Sequence, residues 1–297
     1  MSQVPFYFVD VFAVTPLTGN PVAVVPDADG LTDGQMQAIA REFNQSETAF
    51  VLAPALPGAT VRLRSFTPIG AEVFGAGHNA LGCWLWLALA GRLPAAGPAG
   101  AALAQQIGDD VLPVRVHRAP DGAVVVSMDQ SPPQFGNIAA DRGALAAALG
   151  LAADDLVPGE PAQVVATGAG HLLVSLRDRA AVDRAGPHPD GLAALLAGVG
   201  GEGCYIYARE RPAGDDAAAY ARFFNPTMGI AEDPATGTAA GPLAALLVRR
   251  GQLEAGPAVI EQGRALGRPS RIQVRASGPS VTVSGSGLIS AEGFLHL

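Results

Sequence analysis

The chain contains 297 residues, of which 49% are hydrophobic and 15% charged, a balance typical of a folded protein large enough for two domains. Its formal net charge of −8 argues against a nucleic-acid-binding surface, so small molecules or proteins are the expected partners. The longest apolar run is far shorter than the ~20 residues of a membrane span, and the start of the sequence lacks the pattern of a secretory signal. We therefore expect a cytoplasmic protein without membrane contact.

The first part of the chain is predicted to form antiparallel β structure followed by an amphipathic helix. Aromatic and β-branched residues at Phe6–Ala13 and Val22–Val25 predict two strands joined by a turn. Leu31–Phe43 has apolar residues at helical spacing, which predicts a helix with one buried face. The segment Glu47–Leu52 is predicted to be a strand, so the Glu47 carboxylate is expected where the chain enters the sheet, at an edge that faces a cleft or solvent.

The stretch Arg64–Gly91 returns in degenerate form at Arg222–Gly251. Each copy reads Arg-x-Phe-(Thr/Asn)-Pro, continues through a polar turn with a glutamate, and enters an apolar helix at a glycine-containing tripeptide. Glu72 and Glu232 recur in both copies, which favours a structural role in tying the turns together. The repeat predicts two similar lobes, in which each helix start presents unpaired backbone N–H groups that can bind an anion.

The second lobe is predicted to repeat the order of the first. Cys204–Ala208 takes the place of the strand after Glu47, so the counterpart of Glu47 falls near Gly203. The stretch SPPQFGN is predicted to be a linker between the lobes. Further predicted strands lie at Val61–Phe66, Val111–His117, Ala123–Met128, Gln163–Thr167, Leu172–Leu176, Val259–Gln262, Arg271–Arg275 and Ser280–Ser284, and further helices at Leu145–Gly150 and Asp190–Val199.

The sequence offers no motif for a metal or a nucleotide. Cys83 and Cys204 lack metal-site spacing and lie in apolar surroundings, which predicts buried reduced thiols rather than a disulfide or a zinc site. The glycine-rich segments match neither the GxxxxGK(S/T) loop nor a GxGxxG turn after a strand. We therefore expect a protein that works without a metal ion or cofactor.

Three polar residues near the repeated turns are candidates for chemistry. An arbitrary glutamate is usually solvated, but Glu47 lies beside residues expected to be buried and has no equivalent in the second lobe. His78 begins a helix in GAGHN, where a ligand-facing role and a structural role are both open. Asp233 is either an ordinary carboxylate favoured by the helix dipole or, beside the tripeptide TGT, a group of the site.

The chain resembles the phenazine-biosynthesis PhzF family through four motifs, DVFAVTPLTGNPVAVV, NQSETAFV, RSFTPIGAEVFGAGHNALG and EDPATGTAAGP. The resemblance implies an α+β fold of the diaminopimelate-epimerase-like type, with two pseudo-symmetric lobes that each wrap a mixed, mostly antiparallel sheet around a central helix. It also implies an active site between the lobes and a homodimer. We expect lobes at residues 1–130 and 140–285, and a C-terminal segment, 286–297, that can return to the first lobe.

The resemblance also assigns roles to individual residues. Glu47 matches the family's general acid/base, and His78 and Asp233 match its polar catalytic partners. The residues that match its binding site for the substrate carboxylate are Gly77, His78, Asn79, Gly237 and Thr238. The chain has GHNALG where the family commonly has GHPTLG, and Thr238 where serine is commoner, so its substrate can differ.

The residues before the glycine turns argue against a two-thiol racemase. In the epimerase relatives a cysteine precedes each turn, whereas Ala76 and Thr236 match those positions here. One carboxylate suits a proton moved along a single face, whereas inversion normally uses acid and base on opposite faces. We therefore predict a cofactor-independent isomerase of a small carboxylate-bearing substrate, by resemblance trans-2,3-dihydro-3-hydroxyanthranilate. A racemase-like enzyme and a non-catalytic carboxylate-binding protein remain as alternatives.

Overall fold

The computed structural model describes residues 3–93 and 102–297 and divides the chain into two compact units. Unit 1 comprises Met1–Asp129 and Ser284–Leu297, and unit 2 comprises Gln130–Val283. The expected first lobe and C-terminal segment lie close to the bounds of unit 1. The second lobe was expected to begin at residue 140 after a linker, but the stretch SPPQFGN supplies part of a strand to unit 2 and is therefore not a linker.

The sheet of unit 1 alternates antiparallel and parallel neighbours. Strand β1 is antiparallel to β2, β2 is parallel to β3, β3 is antiparallel to β4, β4 is parallel to β6, and β6 is antiparallel to β7. The short β5 lies antiparallel to β4. In chain order the elements are β1 (Gln3–Val11), β2 (Asn20–Val25), α1 (Asp33–Phe43), β3 (Thr48–Leu52), β4 (Val61–Phe66), β5 (Glu72–Val73), α2 (His78–Leu89), β6 (Leu103–Ile107), β7 (Asp110–Arg118) and β8 (Val124–Gln130).

Unit 2 repeats this pattern of pairing. Strand β10 is antiparallel to β11, β11 is parallel to β12, β12 is antiparallel to β13, β13 is parallel to β15, and β15 is antiparallel to β16. The elements are β9 (Gln134–Ala139), α3 (Arg142–Ala148), β10 (Ala162–Ala166), β11 (Gly170–Ser175), α4 (Arg179–Arg184), α5 (Pro189–Val199), β12 (Gly203–Ala208), β13 (Ala219–Asn225), β14 (Ile230–Asp233), α6 (Gly237–Arg249), β15 (Gly256–Gln262), β16 (Ser270–Ser277) and β17 (Ser280–His296).

Two features complete the units. Strand β9 lies antiparallel to β10 and extends the sheet of unit 2. Strand β17 starts in unit 2, and its C-terminal part belongs to unit 1, where it runs antiparallel to β1. Because β5 and α2 follow β4 as β14 and α6 follow β13, the predicted repeat of strand, turn and helix is confirmed.

Each unit encloses one helix that is apolar on all sides. Helix α2 is buried from His78 through Leu87 and packs on β1, β2 and β3. Helix α6 is buried from Ala239 through Leu247 and packs on β10, β11 and β16. A helix that is hydrophobic all round belongs in a core. Among the described residues, no helix combines the length and the apolar composition needed to cross a membrane.

The close packing of α2 requires a glycine in its middle. A Cβ atom on Gly82 would lie 2.2 Å from the Cγ1 atom of Val22 on β2, so this position has no room for a side chain. Glycine in a helix interior costs roughly 0.5–1 kcal/mol relative to alanine. Close contact between the helix and the sheet offsets that cost.

Glu72 and Glu232 form ion pairs that hold the repeated turns, as predicted. Arg64 donates Nε–H and Nη2–H to the two carboxylate oxygens of Glu72, at 2.7 and 2.8 Å. Arg222 does the same to Glu232, at 2.9 and 2.8 Å. The second pair is the more deeply buried, because the Glu232 side chain is 11% exposed and that of Glu72 is 25% exposed.

Glu232→Ala should therefore destabilise the protein more than Glu72→Ala does. Without Glu232, the buried Arg222 guanidinium loses its counter-charge, a change that typically costs about 3–5 kcal/mol. Arg64 would keep its contact with Asp33 at 2.6 Å. The measurement is the free energy of unfolding in urea.

Arg115→Ala is the matched control, because Arg115 and Asp129 pair on the surface with side chains 53% and 47% exposed. Its loss should stay within about 1 kcal/mol. If Glu232→Ala costs no more than Arg115→Ala, the repeated ion pairs do not hold the turns.

Candidate active site

Glu47 lies in the short segment between helix α1 and strand β3. The residue after α1, Asn44, adopts a left-handed conformation with φ of 49°, and its N–H donates to the Ala40 carbonyl. Asparagine tolerates this conformation better than most residues because its short polar side chain can hydrogen-bond locally. The Glu47 side chain is 19% exposed, so it is accessible yet mostly surrounded by protein.

His78 is the first residue of α2 and lies beside Glu47. Its Nδ1 atom is 4.0 Å from Oε2 of Glu47, and its Nε2 atom is 3.4 Å from Oγ of Ser46. Burial lowers the pKa of His78 to about 4, so the imidazole is neutral at pH 7. The structure thus brings together two of the predicted catalytic residues, a carboxylate and a neutral imidazole.

The turn before α2 is fixed by the side chain of Asn79. Its Oδ1 atom accepts a hydrogen bond from the Gly77 N–H at 2.8 Å, and its Nδ2 group donates to Ser65 Oγ at 3.0 Å and to the Gly75 carbonyl at 3.1 Å. The Gly77 N–H and the Asn79 side chain are therefore engaged within the turn, and the substrate-binding roles expected for Gly77 and Asn79 stay predictions. The other N–H groups of the first turn of α2 remain as donors.

Asp233 ends strand β14 and is held in a buried network. Its carboxylate accepts a hydrogen bond from the Thr236 hydroxyl. Gln262 donates to the Asp233 carbonyl at 2.7 Å and accepts from the Thr236 N–H at 3.1 Å. The Tyr205 hydroxyl donates to the same Gln262 Oε1 at 2.9 Å. Burial and the nearby Asp233 raise the pKa of Tyr205 well above its ordinary value, so this phenol stays a hydrogen-bond donor.

Helix α6 begins at Gly237, with Thr236 as its N-cap, just as α2 begins at His78 with Gly77 as its N-cap. Relative to the repeated glycine, α6 thus begins one residue earlier than α2. Thr238 is half-buried and carries a hydroxyl in the first helical turn. The Gly237 carbonyl accepts a hydrogen bond from the Gln130 side chain at 3.1 Å.

Strand pairing identifies the counterpart of Glu47. Thr48 and Cys204 each pair with the phenylalanine of the Arg-x-Phe segment in their own unit, so Glu47 and Gly203 occupy equivalent positions, as predicted. A Cβ atom on Gly203 would lie 2.5 Å from the Phe223 ring and 3.2 Å from Nδ1 of His171. Unit 2 therefore has no space for a carboxylate side chain at this position.

The two cysteines are buried free thiols, as predicted. Burial raises the pKa of Cys83 and of Cys204, which disfavours the reactive thiolate. Within residues 3–93 and 102–297, no group of three or more histidine, cysteine, aspartate and glutamate side chains is arranged to hold a metal ion.

Several residues that support the candidate site were not predicted from the sequence, namely Gln130, His171, Tyr205 and Gln262. They lie on strands, and each forms a hydrogen bond with a partner remote in sequence. Their polar character within otherwise apolar strand segments was the only signal. That signal does not reveal the hydrogen-bond partner.

Comparison with known proteins agrees with this architecture. Residues 9–293 match the PhzC-PhzF family of phenazine biosynthesis-like proteins. The chain is 36% identical over 301 residues to the trans-2,3-dihydro-3-hydroxyanthranilate isomerase of Pseudomonas aeruginosa, covering 98% of this chain and 99% of that protein. The PhzF-family protein of Bacillus anthracis matches with a TM-score of 0.91 at 26% identity, covering 100% of both chains. A hydroxyproline epimerase from Agrobacterium vitis, 12% identical, shares the fold alone, with a TM-score of 0.64 and coverage of 99% and 92%.

The chain thus has an α+β fold of the diaminopimelate-epimerase-like type, which it shares with a PhzF-family protein and with a hydroxyproline epimerase. The chain belongs to the PhzF family and is an isomerase. The resemblance, the fold class and the enzyme class predicted from the sequence are confirmed.

Asn79→Ala should destabilise the turn before α2. The substitution leaves the Gly77 N–H without its acceptor and removes the bonds to Ser65 and Gly75, so we expect a loss of about 1–3 kcal/mol in the free energy of unfolding. Because the turn positions His78, isomerase activity should also fall.

Asn137→Ala is the control, since its amide donates one exposed hydrogen bond to the Val199 carbonyl. It should cost less than about 1 kcal/mol and leave activity unchanged. Equal losses for the two variants would show that Asn79 is not specially required for the turn.

Proposed function

We propose that this enzyme moves a proton between two carbon atoms of a small carboxylate-bearing substrate, with Glu47 as the sole proton carrier. The observation that carries the proposal is the difference between the two units at equivalent positions. Unit 1 has Glu47, whereas unit 2 has Gly203 packed against Phe223. A second proton-transferring carboxylate cannot be accommodated there, so one group serves both halves of the transfer.

The reaction balances without any other reactant. The Glu47 carboxylate removes a proton from an activated C–H bond, and the electron pair is delocalised in the substrate. The resulting carboxylic acid returns the proton to a different carbon, which regenerates the carboxylate and yields an isomer of the substrate. A positioned general base of this kind typically contributes 10²–10⁴-fold in rate, as an order of magnitude.

His78 is proposed to assist Glu47 as a neutral hydrogen-bonding group. A charged imidazolium beside Glu47 would stabilise the ionised carboxylate and make it a weaker base. Since burial lowers the pKa of His78 to about 4, the neutral ring avoids that penalty at pH 7. The 4.0 Å separation between Nδ1 and Oε2 also leaves room for a small adjustment when substrate binds.

The start of α6 is proposed to bind the substrate carboxylate. The first N–H groups of a helix lack intrahelical partners, and the helix dipole favours an anion at this end. The Gln262 network and Asp233 fix the turn, and Thr238 adds a half-buried hydroxyl. Asp233 is therefore proposed to act by positioning this turn through Thr236.

The substrate is proposed to be a small cyclic carboxylate related to trans-2,3-dihydro-3-hydroxyanthranilate. Support comes from the 36% identity to the isomerase of Pseudomonas aeruginosa named for that compound. A racemase reaction is less well supported, because it calls for groups on both faces and the position matching Glu47 in unit 2 is Gly203. The residues before the glycine turns, Ala76 and Thr236, supply no thiol.

Glu47→Gln should abolish turnover while it preserves binding. Glutamine keeps the size and hydrogen bonding of the side chain but cannot accept the proton, so the rate should fall by at least about 10²–10⁴-fold. The measurement uses trans-2,3-dihydro-3-hydroxyanthranilate and a panel of amino-acid and cyclic carboxylates in deuterated water. Mass spectrometry detects isomerisation and exchange.

Cys83→Ala and Cys204→Ala are the controls, because each removes a buried thiol with no proposed role. They should retain turnover despite some loss of packing. A fully active Glu47→Gln variant, or an inactive cysteine variant that still folds, would overturn the proposal. Exchange with inversion at one centre would identify a racemase instead.

A further inference from the structure

His171 is a buried polar residue of unit 2 whose environment is unusually asymmetric. It lies on β11, is 3% exposed, and packs edge-to-face against the Phe223 ring with centroids 4.9 Å apart. Its Nε2 atom is 3.4 Å from the hydroxyl oxygen of Thr238 at the start of α6. Its Nδ1 atom is buried and has no hydrogen-bond partner among the described residues.

Gly203 lies beside Nδ1. A Cβ atom on Gly203 would lie 3.2 Å from Nδ1 and 2.5 Å from the Phe223 ring. A proton on Nδ1 would be a buried donor without an acceptor. Such orphaned N–H groups are rarer in native proteins than under-satisfied acceptors.

The neutral imidazole has one N–H group, on either Nδ1 or Nε2. Which nitrogen carries the proton decides whether His171 or Thr238 donates the hydrogen bond between them. Burial lowers the pKa of His171 to about 4, so the ring is neutral at pH 7. If the proton is on Nε2, the N–H donates to the Thr238 oxygen and the hydroxyl hydrogen must point elsewhere. If it is on Nδ1, Thr238 donates to Nε2 and has no hydrogen left for a ligand.

We infer that His171 is a positioning residue: its Nε2–H donates to Thr238 and so commits the Thr238 hydroxyl to donate to a substrate carboxylate. This inference rests on the proposed carboxylate-binding role of α6. It explains why a buried histidine lies in a strand whose neighbouring residues are apolar. It also extends the site beyond the turn to a residue remote in sequence.

A ligand-independent test is the tautomer of His171 in the free protein. The chain has five histidines, so the ¹⁵N signals of ¹⁵N-histidine-labelled protein at pH 7 can be assigned by comparison with His171→Gln. We expect the Nε2–H tautomer, with Nδ1 unprotonated. Predominance of the Nδ1–H tautomer, or a mixture of the two, would overturn the inference whatever the enzyme's substrate proves to be.

A binding test separates positioning from packing. The probes are 3-hydroxyanthranilate, the aromatic relative of the proposed substrate, and its methyl ester, which has the same ring without the negative charge. His171→Phe should weaken binding of the acid about tenfold or more, because hydrogen bonds to charged groups are the stronger ones. It should change binding of the ester less than about twofold, since apolar contacts are largely kept.

Two further variants sharpen the result. Glutamine can place an amide N–H near the position of the histidine Nε2, so His171→Gln should recover most of the affinity for the acid. With Thr238→Val as the background, His171→Phe should weaken acid binding by less than about twofold, because the hydroxyl that it orients is gone.

Equal weakening of acid and ester would show that His171 only packs. An unchanged affinity for the acid, or a full effect of His171→Phe without the Thr238 hydroxyl, would likewise refute the inference. If the wild-type protein binds neither probe, Thr238 does not bind the carboxylate of compounds of this class. The inference about His171 then fails as well. The proposal for Glu47 is judged separately, by turnover of Glu47→Gln, which leaves every group of unit 2 intact.

Discussion

Each unit must provide hydrogen-bond acceptors for the start of a helix that is buried against a sheet. The leading N–H groups of any helix lack partners inside the helix, and burying them without acceptors is costly. Side chains from the surrounding elements meet this need in different ways, through Asn79 in unit 1 and through Gln262 with Thr236 in unit 2. The other leading N–H groups of such a helix start can bind an anion.

The candidate catalytic residues lie where the two repeated units differ. Both units have the same pattern of strand pairing, an arginine–glutamate ion pair and a buried helix. Glu47, in contrast, is replaced by Gly203, where the Phe223 ring occupies the space that a side chain would need. The proposed single proton carrier thus rests on this difference between the units, and the proposed positioning residue His171 pairs with Gly203 across neighbouring strands.

Much of the fold could be predicted because local sequence patterns determine where many of its strands and helices lie. Strand β4 matches its predicted bounds, and α1 differs only in its first turn. The C-terminal strand β17 was predicted as a short strand, because its glycines are unfavourable in strands. Two of these glycines are required by close approach to β1, since a Cβ on Gly287 would lie 2.4 Å from the Asp10 carbonyl oxygen and one on Gly293 2.8 Å from the Phe6 ring.

Residues at the site were predictable only when they lie in the repeated turns or, like Glu47, differ between the repeats. His171 and Gln262 could not be found in this way, because their partners lie far along the chain and no spacing rule connects them. Strand β6 was missed for a related reason. Its two glutamines are polar, yet both are buried, and Gln105 accepts a hydrogen bond from the Trp84 indole at 2.8 Å.

The central claim is that one carboxylate both removes and returns the proton. The most direct test is a single turnover of ring-deuterated trans-2,3-dihydro-3-hydroxyanthranilate in ordinary water, followed by mass spectrometry of the product. A carboxylic acid carries a single transferable hydrogen, so a measurable fraction of the product should keep all its deuterium. Loss of one deuterium from every product molecule, with the new hydrogen delivered to the opposite face, would contradict the single-carboxylate account.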